Sequence, residues 1–354
     1  MTNKKQINIK VHNNVSNPKS IHGIYPYRGK ISAIDARDVI AGLDSGKTLL
    51  DPFCGSGTIL YEAAQKNIKS IGFDTNPIAV WLSKGKLSLA KGSINQYIEE
   101  VEDLIKIAKA SDAKSMPEES LKHFHVDTAD EIMRLTRLID TMSDYVKACF
   151  FGSIALSARG CNHYKWTSST VGKDIVPKNY INFYDKFLQK TKKHFYPISN
   201  NLDHKVFQKD SRKLSRYIKP GTIDYVFTSP PYFDALDYTA YYAKIIYNIL
   251  ELDRSAIRED IIQTTKAYKD DMKLVLEEIV KVTHDKSLII FVVGDKKLKG
   301  ETINGGVFFS DLLHHQPSEI IERTYSGSSS QIFDSLNKTV RKEQIVVWDR
   351  RDWK

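Results

Sequence analysis

Apolar positions along this chain alternate between short runs typical of buried strands and longer stretches with helical spacing. Residues 48–51 form one short apolar run, and the residues from Thr58 onward have the pattern of a helix. A second strand-like run at 70–74 leads into a helix that is predicted from about Ile78. Strand, helix and strand within about 30 residues make a βαβ unit, which predicts parallel strands joined by a right-handed crossover.

The alternation stops at residues 86–204, where the patterns are mostly helical. Strand-like runs return at 205–210, 223–228, 287–293, 318–324 and 344–348, and a further helix is predicted at 272–282. The last two runs are candidates for an antiparallel pair. We therefore expect an α/β fold with a doubly wound, mostly parallel sheet and a late antiparallel strand. In this interpretation residues 1–85 and 205–354 build the sheet, and 86–204 form a large, mainly helical insertion.

Composition places the chain among ordinary globular proteins, with 41% hydrophobic and 27% charged residues in a length of 354. No apolar run approaches the roughly 18 residues that a membrane-spanning helix needs, and the N-terminal residues lack the apolar core of a signal peptide. These features predict a cytoplasmic protein without a membrane partner. Cys54, Cys149 and Cys161 lie far apart without a CxxC pair, so neither a disulfide framework nor a metal cluster is expected.

Positive charge is concentrated in one part of the chain. Residues 151–220 contain 14 Lys or Arg and four Asp or Glu, so their net charge of +10 exceeds the +9 of the whole chain. A basic segment within an otherwise nearly neutral protein indicates a polyanionic partner. The alternative is a lysine-rich surface that is simply solvated.

The turn after the first strand has the most distinctive sequence, Asp-Pro-Phe-Cys-Gly-Ser-Gly-Thr at residues 51–58. Gly55 and Gly57 remove side chains where a ligand would meet the backbone, and Asp51 could accept a hydrogen bond from a cationic or amino group. No Gly-Lys-Ser/Thr follows, so the turn is not a phosphate-binding P-loop, and Leu60 occupies the position of the third glycine in GxGxxG. The turn is therefore predicted to bind a ligand other than a nucleotide phosphate.

Acidic residues end three of the predicted strands, namely Asp51, Asp74 and Asp210. Nucleoside-binding α/β folds place an acid like Asp74 on the ribose hydroxyls, and Asp210 could meet an adenine amine. Three carboxylates suit a nucleoside that carries positive charge and no phosphate, and S-adenosylmethionine has those properties. The alternative is that each acid caps a helix.

A second turn, Thr-Ser-Pro-Pro-Tyr at residues 228–232, follows the strand at 223–228. Its two prolines fix the backbone and leave carbonyl oxygens free, so a carbonyl and the Ser229 hydroxyl could accept two hydrogen bonds from one exocyclic amine. Tyr232 offers a flat face for a flipped base. Attack by an amine on a sulfonium methyl needs alignment and desolvation, and it needs no metal ion. The predicted catalytic residues are Ser229, Pro230, Pro231 and Tyr232. The alternative is a turn that only ends the strand.

The two turns together resemble the DNA amino-methyltransferases that use S-adenosylmethionine. The resemblance extends to residues 25–30, similar to that family's cofactor-contacting segment, to 72–77, similar to its ribose-binding strand end, and to 210–212, similar to its adenine-contacting segment. It covers about residues 22–85 and 205–295, and it implies a Rossmann-like methyltransferase sheet. The implied cofactor-binding residues are Tyr27, Lys30, Asp51, Phe53, Cys54, Gly55, Ser56, Gly57, Thr58, Asp74, Thr75, Asn76, Asp210, Ser211 and Thr228.

The resemblance also implies a substrate. Ser-Pro-Pro-Tyr is commonest among members that methylate cytosine at N4, and Asp-Pro-Pro-Tyr among those that methylate adenine at N6, so Ser229 favours cytosine N4 in double-stranded DNA. The glycine turn precedes the Ser-Pro-Pro-Tyr turn here, whereas many members with that tetrapeptide have the opposite order, which leaves adenine N6 as an alternative. An RNA or protein amine and a noncatalytic nucleic-acid-binding module are the further alternatives. A cognate restriction endonuclease is an implied partner.

Members of this family need a part that reads the DNA sequence. The insertion at 86–204 is the candidate, because it interrupts the sheet pattern and contains much of the basic segment. A helical cap on the sheet is the alternative for its first half. The predicted contacts with phosphates or bases are Arg159, Tyr164, Lys165, Trp166 and Lys173.

Overall fold

A seven-stranded sheet forms the centre of the computed structural model, which describes residues 20–27, 31–158, 179–231, 238–240, 242–262, 267–298, 301–326 and 340–353. The strands are β1 (Thr48–Asp51), β2 (Lys69–Asp74), β3 (Lys205–Gln208), β4 (Ile223–Thr228), β5 (Thr283–Gly294), β6 (Lys296–Leu298), β7 (Glu301–Ile303), β8 (Glu319–Ser326) and β9 (Val340–Asp349). The order within the sheet is β3-β2-β1-β4-β5-β9-β8, and β6 and β7 form a separate hairpin.

One strand of this sheet is reversed. β1 to β5 run parallel to their neighbours among themselves, whereas β9 is antiparallel to both β5 and β8. The prediction of a doubly wound, mostly parallel sheet with a late antiparallel strand is therefore confirmed. The β6–β7 hairpin is not predicted by the sequence pattern, because strands of three residues are too short to show a periodicity.

Both faces of the sheet are buried, which explains its continuous apolar runs. Leu49 of β1 belongs to the apolar cluster on one face, and Leu50 belongs to the cluster on the other. Ile290 and Phe291 of β5 divide between the two clusters in the same way. Parallel strands covered on both faces need apolar side chains at every position, so their sequences do not alternate.

Helices cover both faces of the sheet. The described helices are α1 (Ala33–Ala41), α2 (Thr58–Gln65), α3 (Pro77–Leu87), α4 (Ile94–Lys109), α5 (Glu118–Leu121), α6 (Val126–Thr136), α7 (Asp144–Ser157), α8 (Phe183–Lys193), α9 (Tyr242–Ile249), α10 (Arg254–Asp260), α11 (Tyr268–Val282) and α12 (Gly305–Leu313). Helices α1–α4 and α6–α9 contribute to one apolar cluster, and α11 and α12 contribute to the other. Helix α11 begins at Tyr268, four residues before its predicted start.

The insertion is helical in its described parts, residues 86–158 and 179–204. Its apolar side chains belong to the same cluster as those of α1–α3. For example, the rings of Phe151 in α7 and Trp81 in α3 have centroids 5.3 Å apart. The described helices of the insertion thus share a core with the sheet.

None of the helices in the described ranges combines the length and the apolar character that crossing a membrane would require.

Candidate active site

The ends of β1 and β4 meet at one edge of the sheet. The two strands are parallel neighbours, and the Thr228 hydroxyl at the end of β4 donates to Asp51 Oδ1 at the end of β1 over 2.6 Å. On one side of this pair the next strands are β2 and β3, and on the other side the next strand is β5. The strand order therefore reverses between β1 and β4. Open α/β sheets bind ligands at such a switch point, outside the carboxyl ends of the strands.

A cleft of about 620 Å³, partly open to solvent, is lined by residues of both turns. The predicted site residues that line it are Tyr27, Phe53, Gly55, Asp74, Thr75, Asn76, Asp210, Ser211, Ser229 and Pro231. The predicted residues that are buried and do not line it are Asp51, Cys54, Ser56, Gly57, Thr58, Thr228 and Pro230. The fold thus brings the glycine turn and the Ser-Pro-Pro turn to one space.

Several predicted residues lie outside the described part of the chain. They are Lys30, Tyr232, Arg159, Tyr164, Lys165, Trp166 and Lys173. The stacking platform and the DNA contacts therefore stay predictions.

Both glycines of the first turn have positive φ angles and close protein neighbours. Gly55 has a φ of +49°, and a Cβ there would lie 3.3 Å from Tyr27 Cε1. Gly57 has a φ of +72°, and its Cβ would lie 2.7 Å from the Oγ of Ser83 in α3. The sequence analysis expects both glycines to leave room for a ligand; the missing side chain of Gly57 makes room for α3 instead, whereas Gly55 lines the cleft.

Asp74 lies in the cleft wall with its carboxylate oriented by the backbone. Oδ2 accepts a hydrogen bond from the Gly55 N–H, and Oδ1 accepts one from the Asn76 N–H, both over 2.9 Å. Burial raises the pKa of Asp74 to about 6, although these N–H donors act in the opposite direction. The cap of α3 is Asn76, whose Oδ1 accepts from the Ile78 N–H. Asp74 is therefore not the helix cap of the alternative interpretation.

Asp51 joins the two turns beneath the cleft. It is 1% exposed, and its Oδ1 accepts from the Thr228 hydroxyl and from the Phe53 N–H. Burial raises the pKa of Asp51 to about 7. The sequence suggests that this carboxylate receives a cationic or amino group of a ligand, but in the fold it receives donors of the protein.

Asp210 lines the cleft and is also a cap. Its Oδ1 accepts from the Arg212 N–H over 2.8 Å at the start of a 3-10 helix, Ser211–Arg216. The Arg212 guanidinium holds both of its carboxylate oxygens and reaches Asp271 Oδ1 in α11 over 2.6 Å. The cap interpretation therefore holds for Asp210, and one arginine of the basic segment is paired within the protein.

The cleft is acidic. Its lining includes Asp74, Asp210 and Asp260, and no lysine, arginine or histidine is found among the described residues that line it. Arg212 compensates Asp210 from outside the cleft, whereas Asp74 and Asp260 have no ion pair with another described residue, and such carboxylates attract a cation and repel a phosphate. The cleft therefore fits a positively charged nucleoside such as S-adenosylmethionine better than a nucleotide.

The Ser-Pro-Pro turn is held by α11. The Tyr268 hydroxyl donates to the Pro231 carbonyl over 2.6 Å, so the expectation that the proline carbonyls are free is wrong for Pro231. No hydrogen bond to the Ser229 hydroxyl or to the Pro230 carbonyl is formed within the described residues. The pair of acceptors assigned to an amine is thus not used by that part of the protein.

Buried polar contacts hold the segment that contains Tyr27 in place. His22 Nε2 lies 2.8 Å from Glu62 Oε1 in α2, and the Lys190 ammonium of α8 donates to the Ile24 carbonyl over 2.9 Å. Burial, together with the nearby Asp74 carboxylate, raises the pKa of the Tyr27 phenol well above its ordinary value. Tyr27 therefore stays protonated in the cleft wall, and a second residue of the basic segment is used internally.

Comparison with known proteins finds methyltransferases. Residues 38–136 match the family model described as UPF0020, RMKL-like methyltransferase domain. The chain is 37% identical over 70 residues to the type II methyltransferase M.MjaII of Methanocaldococcus jannaschii, a match that covers 20% of this chain and 13% of that protein. It is 24% identical over 297 residues to the type II methyltransferase M.BsoBI of Geobacillus stearothermophilus, covering 73% of this chain and 57% of that protein. The chain therefore spans only part of the length of these relatives.

Among solved structures, the rRNA methyltransferase aviRa of Streptomyces viridochromogenes matches with a TM-score of 0.39 and 11% identity over 92% of this chain and 88% of that one. TrmN of Thermus thermophilus has a TM-score of 0.35 and 11% identity over 93% of this chain and 52% of that one. The fold of this chain is the Rossmann-like, mostly parallel α/β sheet described above.

The α/β fold also brings residues to the cleft that the sequence analysis did not assign. They are Pro52, Tyr238, Asp260, Ile261 and Ile262. Pro52 lies within the glycine-turn motif and could have been included with it. No local pattern marks the other four. Tyr238 lies between β4 and α9, and Asp260, Ile261 and Ile262 reach the cleft at the end of α10.

Proposed function

We propose that this protein transfers a methyl group from S-adenosylmethionine to the exocyclic amine of a base in double-stranded DNA, with cytosine N4 as the favoured position. The observation that carries the proposal is the shared cleft: Ser229 and Pro231 line the same space as Gly55, Asp74 and Asp210. A donor bound against the glycine turn would there lie next to an amine bound at the Ser-Pro-Pro turn.

The cofactor side of the cleft uses hydrogen bonds and charge. S-adenosylmethionine would supply an electrophilic methyl group when bound there. The Asp74 carboxylate is held by two backbone N–H groups, so it is oriented in advance to accept from ribose hydroxyls. Asp210 is held by Arg212 and faces the part of the cleft where an adenine amine would lie. Asp74 and Asp260, which have no ion pair with another described residue, favour the sulfonium charge.

The amine side of the cleft uses alignment. The Ser229 hydroxyl and the Pro230 carbonyl would accept hydrogen bonds from the two N–H groups of the target amine, which turns its lone pair toward the methyl carbon. Bound S-adenosylmethionine would supply the methyl carbon to an amine aligned in this way, and the surplus proton of the amine would leave to solvent. Positioning of this kind supplies a large share of the rate of a transfer between two bound groups.

Support for DNA as the substrate comes from the motifs and from one relative. The Ser-Pro-Pro-Tyr tetrapeptide resembles that of cytosine N4 methyltransferases of DNA. A type II methyltransferase, M.BsoBI, is 24% identical over 73% of this chain. The basic segment at 151–220 adds a region suited to a polyanion.

The proposal is tested by incubating the protein with tritiated S-adenosylmethionine and, separately, duplex DNA, total RNA and a protein extract. Labelled nucleosides are then identified by mass spectrometry. We expect N4-methylcytosine from DNA, loss of at least about 100-fold in rate for Ser229→Ala, and an unchanged rate for Ser45→Ala, an exposed serine in the turn before β1. N6-methyladenine would overturn the choice of base, label in RNA or protein alone would overturn the substrate, and cofactor binding without transfer would indicate a noncatalytic module.

A further inference from the structure

Helix α11 begins beside the cleft and contacts both of its sides. Tyr268, its first residue, donates to the Pro231 carbonyl over 2.6 Å. Asp271, one turn later, accepts from the Arg212 guanidinium over 2.6 Å. Neither Tyr268 nor Asp271 lines the cleft. The first turn of α11 therefore contacts residues on both sides of the cleft without lining the cleft itself.

The hydrogen bond from Tyr268 restrains the one backbone dihedral of Pro231 that the proline ring leaves free. A proline ring fixes φ, so ψ remains as the soft dihedral of the residue, and ψ sets the direction of the carbonyl oxygen. Tyr268 is 4% exposed, and burial raises the pKa of its phenol above the ordinary value, so the hydroxyl stays a donor. Its ring also packs near that of Phe308, with centroids 5.9 Å apart. A rigid, buried donor thus determines the direction of the Pro231 carbonyl.

The contact with Arg212 restrains the other side. The guanidinium is shared between Asp271 of α11 and Asp210 of the cleft wall, with its Nε 2.9 Å from Asp210 Oδ2 and its Nη1 2.6 Å from Asp271 Oδ1. A planar fork held by two carboxylates has little rotational freedom. Glu278, further along the same helix, accepts from the Ser215 N–H over 2.7 Å. The 3-10 helix that Asp210 caps is thus held against α11 at both ends.

We propose that the first turn of α11 is a positioning element that sets the two ligand sides of the cleft separately, Tyr268 acting on the amine side through Pro231 and Asp271 acting on the cofactor side through Arg212 and Asp210. The inference rests on the proposed function for the names of the two sides. The contacts themselves do not depend on it. Both residues act through others, and neither touches a ligand.

The two halves of this element have different kinetic consequences. Tyr268→Phe removes one hydroxyl and leaves the ring, so the Ser-Pro-Pro turn loses its restraint while Asp210 keeps its own. Displacement of a positioning group by about 1 Å can cost on the order of 100-fold in rate. We expect Tyr268→Phe to lower kcat by about 10- to 100-fold and to leave the Kd for S-adenosylmethionine within about twofold. Asp271→Asn should raise that Kd by about 10-fold and leave kcat at saturating cofactor nearly unchanged.

Matched controls are available within the chain. Tyr225→Phe also removes the hydroxyl of a buried tyrosine, one that accepts from the Asp44 N–H at the opposite end of β4. Asp270→Asn also removes a carboxylate from the first turn of α11, but this side chain is exposed. Both controls should retain the wild-type kcat and Kd.

The experiment combines calorimetric Kd, steady-state kinetics and amide hydrogen exchange of the ligand-free protein. Amide hydrogen exchange should become faster at Ser229 in Tyr268→Phe. It should become faster at Ser211 and Arg212 in Asp271→Asn. Equal effects of both variants on kcat and Kd, or no change in exchange at these amides, would overturn the inference. Exchange reports the restraint without any ligand, so a wild-type protein that binds no S-adenosylmethionine would refute the proposed function alone. Circular dichroism melts of all four variants identify any that fail to fold, and Tyr268→Leu then repeats the test.

Discussion

Replacement of Gly57 by alanine tests the packing of the glycine turn against α3. Alanine at a φ of +72° must adopt a left-handed conformation, which costs about 1–2 kcal/mol. Its Cβ would also lie 2.7 Å from Ser83 Oγ and 2.9 Å from Ser83 Cα. The second of these atoms is backbone in α3, so relief requires the helix to move, and overpacking of this kind costs about 1–3 kcal/mol. The expected loss in the free energy of unfolding is about 2–5 kcal/mol.

Gly46 provides the matched control for this substitution. Its φ is +74°, and a Cβ there would meet no atom within 4 Å. Gly46→Ala therefore has the same conformational cost as Gly57→Ala without the contact, and the effect of alanine on the unfolded chain is common to both. The difference between the two variants isolates the contact with Ser83, and we expect it to be about 1–3 kcal/mol.

Urea unfolding followed by circular dichroism measures this difference, provided that the slope of free energy against urea is the same in all three proteins. We expect the midpoints to fall in the order wild type, Gly46→Ala, Gly57→Ala. If the two variants unfold at the same urea concentration, α3 does not fill the space at Gly57 and the argument from its missing side chain fails. A measurement of cofactor affinity in Gly57→Ala then shows whether the turn, once shifted, still forms the cleft.

Two further predictions concern the buried carboxylates. Burial raises the pKa of Asp74 to about 6 in the folded protein, compared with roughly 3.9 in the unfolded chain. The folded protein therefore binds the Asp74 proton more tightly. The stability that this proton contributes is lost as the pH rises from about 4 through 6. Relative to wild type, ligand-free Asp74→Asn should therefore gain free energy of unfolding over that range. Thr228→Val, which leaves the buried Asp51 without its hydroxyl donor, should lose about 1–3 kcal/mol of stability.

Each of these two predictions has a control. Burial lowers the pKa values of His123 and His204 to about 4, which gives stability the opposite pH dependence, but both histidines are present in wild type and in Asp74→Asn and cancel in the comparison. A flat difference across pH 4 to 7 would contradict the raised pKa of Asp74. Thr228→Ser keeps the hydroxyl and should retain most of the stability that Thr228→Val loses, as measured by urea unfolding. An unchanged stability of Thr228→Val would contradict the role of the hydroxyl.

Local patterns were sufficient for the seven strands of the main sheet and for the two turns. The runs at 48–51 and 223–228 coincide with β1 and β4, because a strand buried on both faces needs several consecutive apolar residues. The glycine and proline turns were visible because these residues restrict or extend the backbone locally. The helix pattern at 272–282 identified α11 but missed its first turn, since the residues before Met272 are mostly polar.

Tertiary structure alone decided which groups meet. Tyr268 lies 37 residues after Pro231 in sequence, and Asp271 lies 59 residues after Arg212. Neither contact has a periodicity or a motif, because each depends on α11 packing beside the end of β4. The same holds for Gly57, whose conformation is local but whose missing side chain is required by Ser83 of α3. A sequence pattern indicates the backbone conformation and the burial of a few neighbouring residues. The cleft is formed by segments that become adjacent only when the strands have assembled into the sheet.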